Sequence, residues 1–258
     1  MTTYLDRILQ HHREVAESDH RSIDAMLAAA NAMPPIRPFA RPLRGQSKLA
    51  VIAEIKRRSP SKGDLFADLD PATVAQAYER GGASCLSVLT DQPHFGGSVA
   101  DLQAAHSACA LPVLRKDFTV SERDVLDARI MGADCLLLIA ASLDKTELAT
   151  FHELATSIGL DVLVEIHDES ELDLALAVNA SIIGVNQRDL VTFRVDHERA
   201  VRMAALIPTD VVRVAESGVR DRTDAQSLRD AGYDAVLVGE SLVTAADPVA
   251  AIDELRVA

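Results

Sequence analysis

Eight apolar, β-rich runs, beginning near Ala50, Ser84, Leu111, Asp134, Asp161, Ser181, Val211 and Asp234, punctuate this 258-residue sequence at intervals of about 20 to 35 residues. Between them lie helical patterns with their own start and stop signals. Asp70-Pro71, Ser98 with Asp101, Ser121 with Asp124, and Asp247-Pro248 mark starts; Gly81, Gly132, Gly159 and Gly232 mark ends. A weak internal repeat supports the alternation: Gly82-Ala-Ser-Cys-Leu-Ser-Val, Gly132-Ala-Asp-Cys-Leu-Leu-Leu, Gly159-Leu-Asp-Val-Leu-Val and Gly232-Tyr-Asp-Ala-Val-Leu-Val each turn a helix end into a strand. Eight strand-helix units in a chain of this length predict a closed parallel α/β barrel, the (β/α)8 or TIM barrel. An open doubly wound sheet is the alternative, but no Gly-x-Gly-x-x-Gly follows the first run.

Residues 1–48 lie outside the repeat. Leu5, Ile8, Leu9 and Val15 recur at helical spacing, and Ser22 to Asn31 predicts a second short helix before the Pro-rich stretch Met33 to Pro42. We read them as a helical extension packed on a barrel of residues 49–258, one structural domain overall. The extension carries His11-His12, which we read as a solvated face for want of partners. The eight histidines form no ligand-spaced cluster, and His167 reads as a loop residue. No metal site is expected.

Composition narrows the partners. Hydrophobic residues make up 48% and charged residues 25%, which is a soluble globule with a sizeable core. A net charge of −13 repels nucleic acid and anionic membrane, both of which need a basic surface. The longest apolar runs, such as Cys135 to Ala141, fall far short of the roughly 20 residues of a membrane helix, and Met1 to Gln10 has no signal pattern. Cys85, Cys109 and Cys135 are odd in number and sit in apolar segments, as reduced core thiols do. A cytoplasmic protein is expected, and a monomer.

The ends of the strands carry the chemistry. The first run ends in Glu54-Ile-Lys56, and alternation along a strand puts both charges on one interior face. Desolvated charges cost several kcal/mol unless paired or used, so this pair is either a structural ion pair or part of a site. The pattern repeats. Strand three ends in Arg115-Lys116-Asp117-Phe118, strand five in Glu165, strand six in Asn186-Gln-Arg188 and strand seven in Glu216-Ser217-Gly218. In a parallel barrel these ends share one rim, and three glutamates converging with two lysines there point to catalysis rather than packing. Arginine outnumbers lysine 21 to 5, yet Lys56 and Lys116 stand at strand ends, where a desolvated lysine can act as an acid. Ser217-Gly218 after strand seven and Gly239-Glu240-Ser241 after strand eight put small residues where backbone N–H groups can approach an anion, so a phosphorylated substrate is expected.

From about residue 49 to the C-terminus the sequence resembles the indole-3-glycerol phosphate synthase family. The matching segments are Ala53 to Ser61, Leu86 to Asp91 with Phe95 to Ser98, Leu114 to Phe118, Leu163 to His167, Ile183 to Leu190, Val214 to Gly218 and Val238 to Ser241. The extension resembles the family's extra helical segment, which helps cover the mouth of the site. The resemblance implies closure of the pyrrole ring of 1-(2-carboxyphenylamino)-1-deoxyribulose 5-phosphate with loss of CO2 and water, in tryptophan biosynthesis, without metal or organic cofactor. It also implies roles. Lys116 is the general acid for ring closure, and Glu165 balances its charge and acts as general base. Glu54 with Lys56 completes proton transfer in dehydration, Lys56 also contacting substrate, and Asn186 and Glu216 orient hydroxyls and the lysines. Arg188 holds an anionic or hydroxyl part of the substrate, Ser59 and Phe118 flank the anthranilate moiety, and Ser217, Gly218, Gly239 and Glu240 bind phosphate.

The chain departs from the usual family wording at Gln187, at Asp91-Gln-Pro-His94 and in having no Trp, so Phe95 or apolar side chains are expected to replace the indole stack. Phosphoribosylanthranilate isomerase, a sister barrel, would carry a cysteine where this chain has Glu54 and Lys56. A phosphate-binding barrel without chemistry would need neither Lys116 nor Glu165.

Overall fold

In the computed structural model each apolar run is one parallel strand: β1 Ala50–Ile55, β2 Cys85–Leu89, β3 Val113–Lys116, β4 Cys135–Ile139, β5 Asp161–Ile166, β6 Ile182–Asn186, β7 Val212–Glu216 and β8 Ala235–Val238. The structure describes every residue except Met1, Thr2, Pro60, Ser61, Ala67, Leu190 and Phe193. Pro60, Ser61 and Leu190, which belong to family-like segments, therefore lie outside the described residues. Neighbouring strands pair in sequence order, and β1 pairs with both β2 and β8, so the sheet closes on itself. Closure leaves no unpaired edge, which answers every strand's backbone hydrogen bonds internally.

Strand periodicity splits the core in two. Val51, Ala53, Leu136, Leu138, Val162 and Val164 face outward and are covered by helices, while Ile52, Leu114, Leu137, Leu163 and Val214 point into the barrel. The crossover helices begin where the caps require: α3 Pro71–Arg80 on Asp70, α5 Val99–Ala108 on Ser98, α6 Glu122–Ile130 on Ser121 and α12 Pro248–Leu255 on Asp247, each cap side chain accepting from a first-turn N–H. The remaining crossovers are α7 Lys145–Ser157, α8 Glu169–Ala177, α9 His197–Ala204 and α10 Arg222–Ala231, with short turns α4 Gln92–Phe95 and α11 Glu240–Val243 after β2 and β8.

The extension touches both ends of the barrel. Helix α1, Tyr4–Ser18, reaches the rim at the C-terminal ends of the strands, where Arg13 bonds Glu147 at 2.7 Å and the carbonyl of Ser142. Helix α2, Ile23–Ala32, packs on α6. The Pro-rich stretch then crosses the opposite end. There Asp134 accepts from the Arg37 N–H, and Asp161 accepts from the N–H groups of Phe39 and Ala40. Small residues at that end of the interior, Ala50, Cys85, Cys135 and Ala235, leave room that Phe39 and Leu43 fill, both fully buried.

Emptying that plug should cost what a buried phenylalanine costs. Phe39→Ala is expected to destabilise the fold by about 3–5 kcal/mol in chemical denaturation. A loss below about 1 kcal/mol would mean that the extension is not part of the barrel's core.

Candidate active site

The side chains that follow the interior apolar layer on each strand form the floor of the pocket. Lys116 stands two residues beyond Leu114, Glu165 two beyond Leu163 and Glu216 two beyond Val214, so pleat alternation aims all three into the barrel mouth. The Lys116 Nζ lies 3.3 Å from Glu165 Oε2 and 3.5 Å from Glu216 Oε2. Asn186 Nδ2 donates to Glu165 Oε1 at 3.0 Å. On β6 the position between Ile182 and Asn186 is Gly184, where a Cβ would stand 2.1 Å from Glu216 Oε1. Only glycine leaves the Glu216 carboxyl that space. Across the barrel, Lys56 Nζ meets Glu54 Oε1 at 2.6 Å. β1 ends at Ile55, so Lys56 reaches the pocket from the first loop residue rather than from the strand itself.

Two buried carboxylates around one ammonium cannot share its charge equally. Burial alone would lower the Lys116 pKa, but Glu165, Glu216 and Glu54 together drive it above the ordinary lysine value. Burial would likewise raise Glu165; the Lys116 ammonium, His167 and the Asn186 amide outweigh it and hold Glu165 below the usual range. Glu216 takes the opposite course. Burial and the neighbouring Glu165 carboxylate push it up to about 8, so at neutral pH Glu216 carries a proton while Glu165 is ionised.

Above this floor the cavity, about 450 Å3 in volume, has an aromatic wall and an end lined by small residues. Phe95 and Phe118 both line it, their ring centroids 6.4 Å apart. Ser59 lines the same side, with its Oγ buried and unpartnered. At the far end are Ser217, Gly218, Gly239, Glu240 and Ser241. Ser217 and Gly218 both have positive φ, 67° and 77°, and a Cβ on Gly218 would lie 2.5 Å from Val195. A positive φ costs energy at the non-glycine Ser217, and such strained positions recur at ligand sites. Arg188 lines the cavity from the loop after β6, where it bridges to Val195.

Every site residue named from the sequence thus borders one cavity: Glu54, Lys56, Ser59, Lys116, Phe118, Glu165, Asn186, Arg188, Glu216, Ser217, Gly218, Gly239 and Glu240. Two readings of the histidines need correction. His12 is not on a solvated face, because α1 lies against the barrel rim and brings its Nε2 to 2.9 Å from Asp91. The histidines do cluster, since His12 and His94 converge on Asp91 from segments 79 residues apart in the case of His12, a spacing no local motif displays. His167 does lie in the loop after β5, as read, but it is not idle there: its Nδ1 lies 3.1 Å from Glu171, and its Nε2 lies 3.8 Å from Glu165 Oε1. Lys62 was also missed. It lines the cavity and pairs with Glu240, and its only sequence signal was its place after the Glu54-x-Lys56 segment.

A protein-family model described as indole-3-glycerol phosphate synthase matches residues 5–255. The chain is 52% identical over 219 residues to indole-3-glycerol phosphate synthase 2 of Streptomyces coelicolor, covering 85% of this chain and 84% of that protein. It is 48% identical over 255 residues to the indole-3-glycerol phosphate synthase of Mycolicibacterium smegmatis, covering 98% and 93%. Among solved structures it resembles a thiamine phosphate pyrophosphorylase from Pyrococcus furiosus, with TM-score 0.61, 16% identity and coverage of 80% and 93%. A 3-hexulose-6-phosphate synthase gives TM-score 0.61, 17% identity and coverage of 80% and 98%. Those two likenesses concern the barrel alone. With the family model running nearly end to end and relatives at about half identity, the chain belongs to the indole-3-glycerol phosphate synthase family.

Proposed function

We propose that the chain converts 1-(2-carboxyphenylamino)-1-deoxyribulose 5-phosphate to indole-3-glycerol phosphate, CO2 and water, in tryptophan biosynthesis, as a carboxy-lyase working by general acid and base catalysis. The observation that carries this reading is a buried lysine held between an ionised and a protonated glutamate, beside a second Lys–Glu pair and an anion cradle. Ring closure needs a proton at the ribulose carbonyl oxygen as the carboxylate-bearing aromatic carbon attacks. Lys116 supplies it, and Glu165 balances the ammonium beforehand and serves as general base afterwards. Loss of the carboxylate as CO2 restores the aromatic ring. Dehydration then needs a proton for the departing hydroxyl and a base for the adjacent carbon, and Glu54 with Lys56 completes that transfer.

Asn186 and protonated Glu216 orient hydroxyls and hold Lys116 in place. Phe118, Phe95 and Ser59 flank the anthranilate ring in the absence of a tryptophan. Arg188 binds an anionic or hydroxyl group, and the phosphate sits on the backbone of Ser217, Gly218, Gly239 and Glu240. Residues 1–48 act as an extension packed on the 49–258 barrel within one structural domain, a reading supported by the burial of Phe39 and Leu43. The reading includes a cytoplasmic monomer. Three free thiols, large exposed apolar residues that are scattered rather than pooled, and a net charge of −13 support it. Among the described residues no helix is long and apolar enough to cross a membrane.

Indole fluorescence should rise when the carboxyphenylamino-deoxyribulose phosphate is added to chelator-treated protein; the absence of product would sink the assignment. Lys116→Met is expected to lower kcat by about 10²–10⁴-fold while substrate binding is largely kept, and unchanged turnover would refute its role as the acid. The pH dependence has a definite sign. As pH rises through about 8, Glu216 loses its proton, a second carboxylate grips the Lys116 ammonium, and proton donation becomes harder, so kcat/KM falls. Glu216→Gln should abolish that alkaline limb, and a wild-type profile retained in the variant would show that another group titrates there.

A further inference from the structure

Outside the catalytic pocket, one buried carboxylate oxygen is answered by two imidazoles. Asp91 follows β2, its side chain fully shielded from solvent. Its Oδ1 caps α4, accepting from the N–H groups of His94 and Phe95. Its Oδ2 receives two rings at once: His12 Nε2 from α1 at 2.9 Å and His94 Nδ1 from α4 at 2.9 Å. Among the described residues no lysine or arginine pairs with Asp91. A second carboxylate increases the negative potential, because Asp117 Oδ1 lies 3.9 Å from His12 Nε2. The three ligand atoms lie within 4.8 Å of one another.

We infer that His12, Asp91 and His94 form a site for a divalent transition-metal ion, of the Zn2+ or Co2+ type, that fastens the N-terminal extension to the barrel rim. Two imidazole nitrogens and one carboxylate oxygen are the donor set such ions take, with a fourth, tetrahedral position left for water. The ion would replace the protons that now join each ring to Asp91, so no desolvated carboxylate is left unanswered. The α4 N–H groups on Oδ1 fix the Asp91 carboxylate so that Oδ2 faces both rings. An entry path exists, because the side chains of His12 and His94 remain 16% and 19% exposed. Asp91 and His94 come from one turn of the barrel and His12 from the extension, so binding closes the seam between them. The His12 ring also lies 5.4 Å from that of Phe118, on the aromatic wall of the pocket.

This inference does not depend on the reaction, and its test needs no substrate. The full chain, stripped by chelator and titrated with Co2+ at neutral pH, should develop the visible absorption of a four-coordinate ion, saturating at one equivalent and abolished by Zn2+. His12→Gln and His94→Gln should each weaken binding by at least about tenfold, while His11→Gln, on the neighbouring ring, should leave it unchanged. Zn2+ should raise the Tm of the wild-type chain and leave those of the two weakened variants in place. Because the variants could be impaired in folding, X-ray absorption of the Zn2+-loaded wild-type chain supplies an independent reading, with two imidazoles expected in the first shell. A Co2+ titration without the four-coordinate band, a band kept in both variants, or an all-oxygen zinc shell would overturn the site.

Discussion

The arrangement at the mouth of the barrel depends on how one buried ammonium is shared. Lys116 sits against Glu165 and Glu216, with Glu54 close enough to add to the field. Three ionised carboxylates around one lysine in a low-dielectric pocket would leave uncompensated charge, which a fold of ordinary stability cannot carry at several kcal/mol per ion. The cluster resolves this by protonation. Glu216 keeps its proton to about pH 8, Glu165 stays ionised, and Lys56 answers Glu54 separately. An acid and a base of opposite protonation state thereby stand within reach of the same cavity, which is the condition that proton-transfer chemistry needs.

That balance requires rigid spacing, and the barrel supplies it. Closure links every strand to two neighbours, so the register that sets Asn186 beside Glu216 and Glu165 beside Gly184 is shared around the whole ring. The missing side chain at Gly184 is as much a part of the site as the carboxylates, because the room it leaves is taken up by Glu216. The extension constrains the same ring from both ends. Phe39 and Leu43 fill one end of the interior, while Arg13 and His12 bind the rim at the C-terminal ends of the strands.

Features read correctly from the sequence were those with local causes. Strand runs, side-chain caps and terminal glycines reflect steric and hydrogen-bonding preferences within a few residues, and Asp70, Ser98, Ser121 and Asp247 all cap as expected. The rim residues were legible because alternation and strand order together place every strand end on one face. His12 and its clustering with His94 on Asp91 were misread for the opposite reason. Their partner is reached from two elements, because α1 meets the turn after β2 at Asp91. No spacing in the chain encodes such a meeting. Phe39 was equally opaque, because its burial depends on the width left by Ala50, Cys85, Cys135 and Ala235 on strands far away in sequence.

The amino-acid sequence by itself determined the order of strands and helices, the interior or exterior face of each residue, and the set of charged head groups delivered to the rim. These follow from backbone geometry and pleat period, which act over a few residues. Tertiary structure alone decided which heads touch, which of two chemically identical glutamates keeps a proton, and which histidines share a carboxylate. Such outcomes depend on distance and desolvation, and both are fixed only when segments far apart in the chain close around the same small volume.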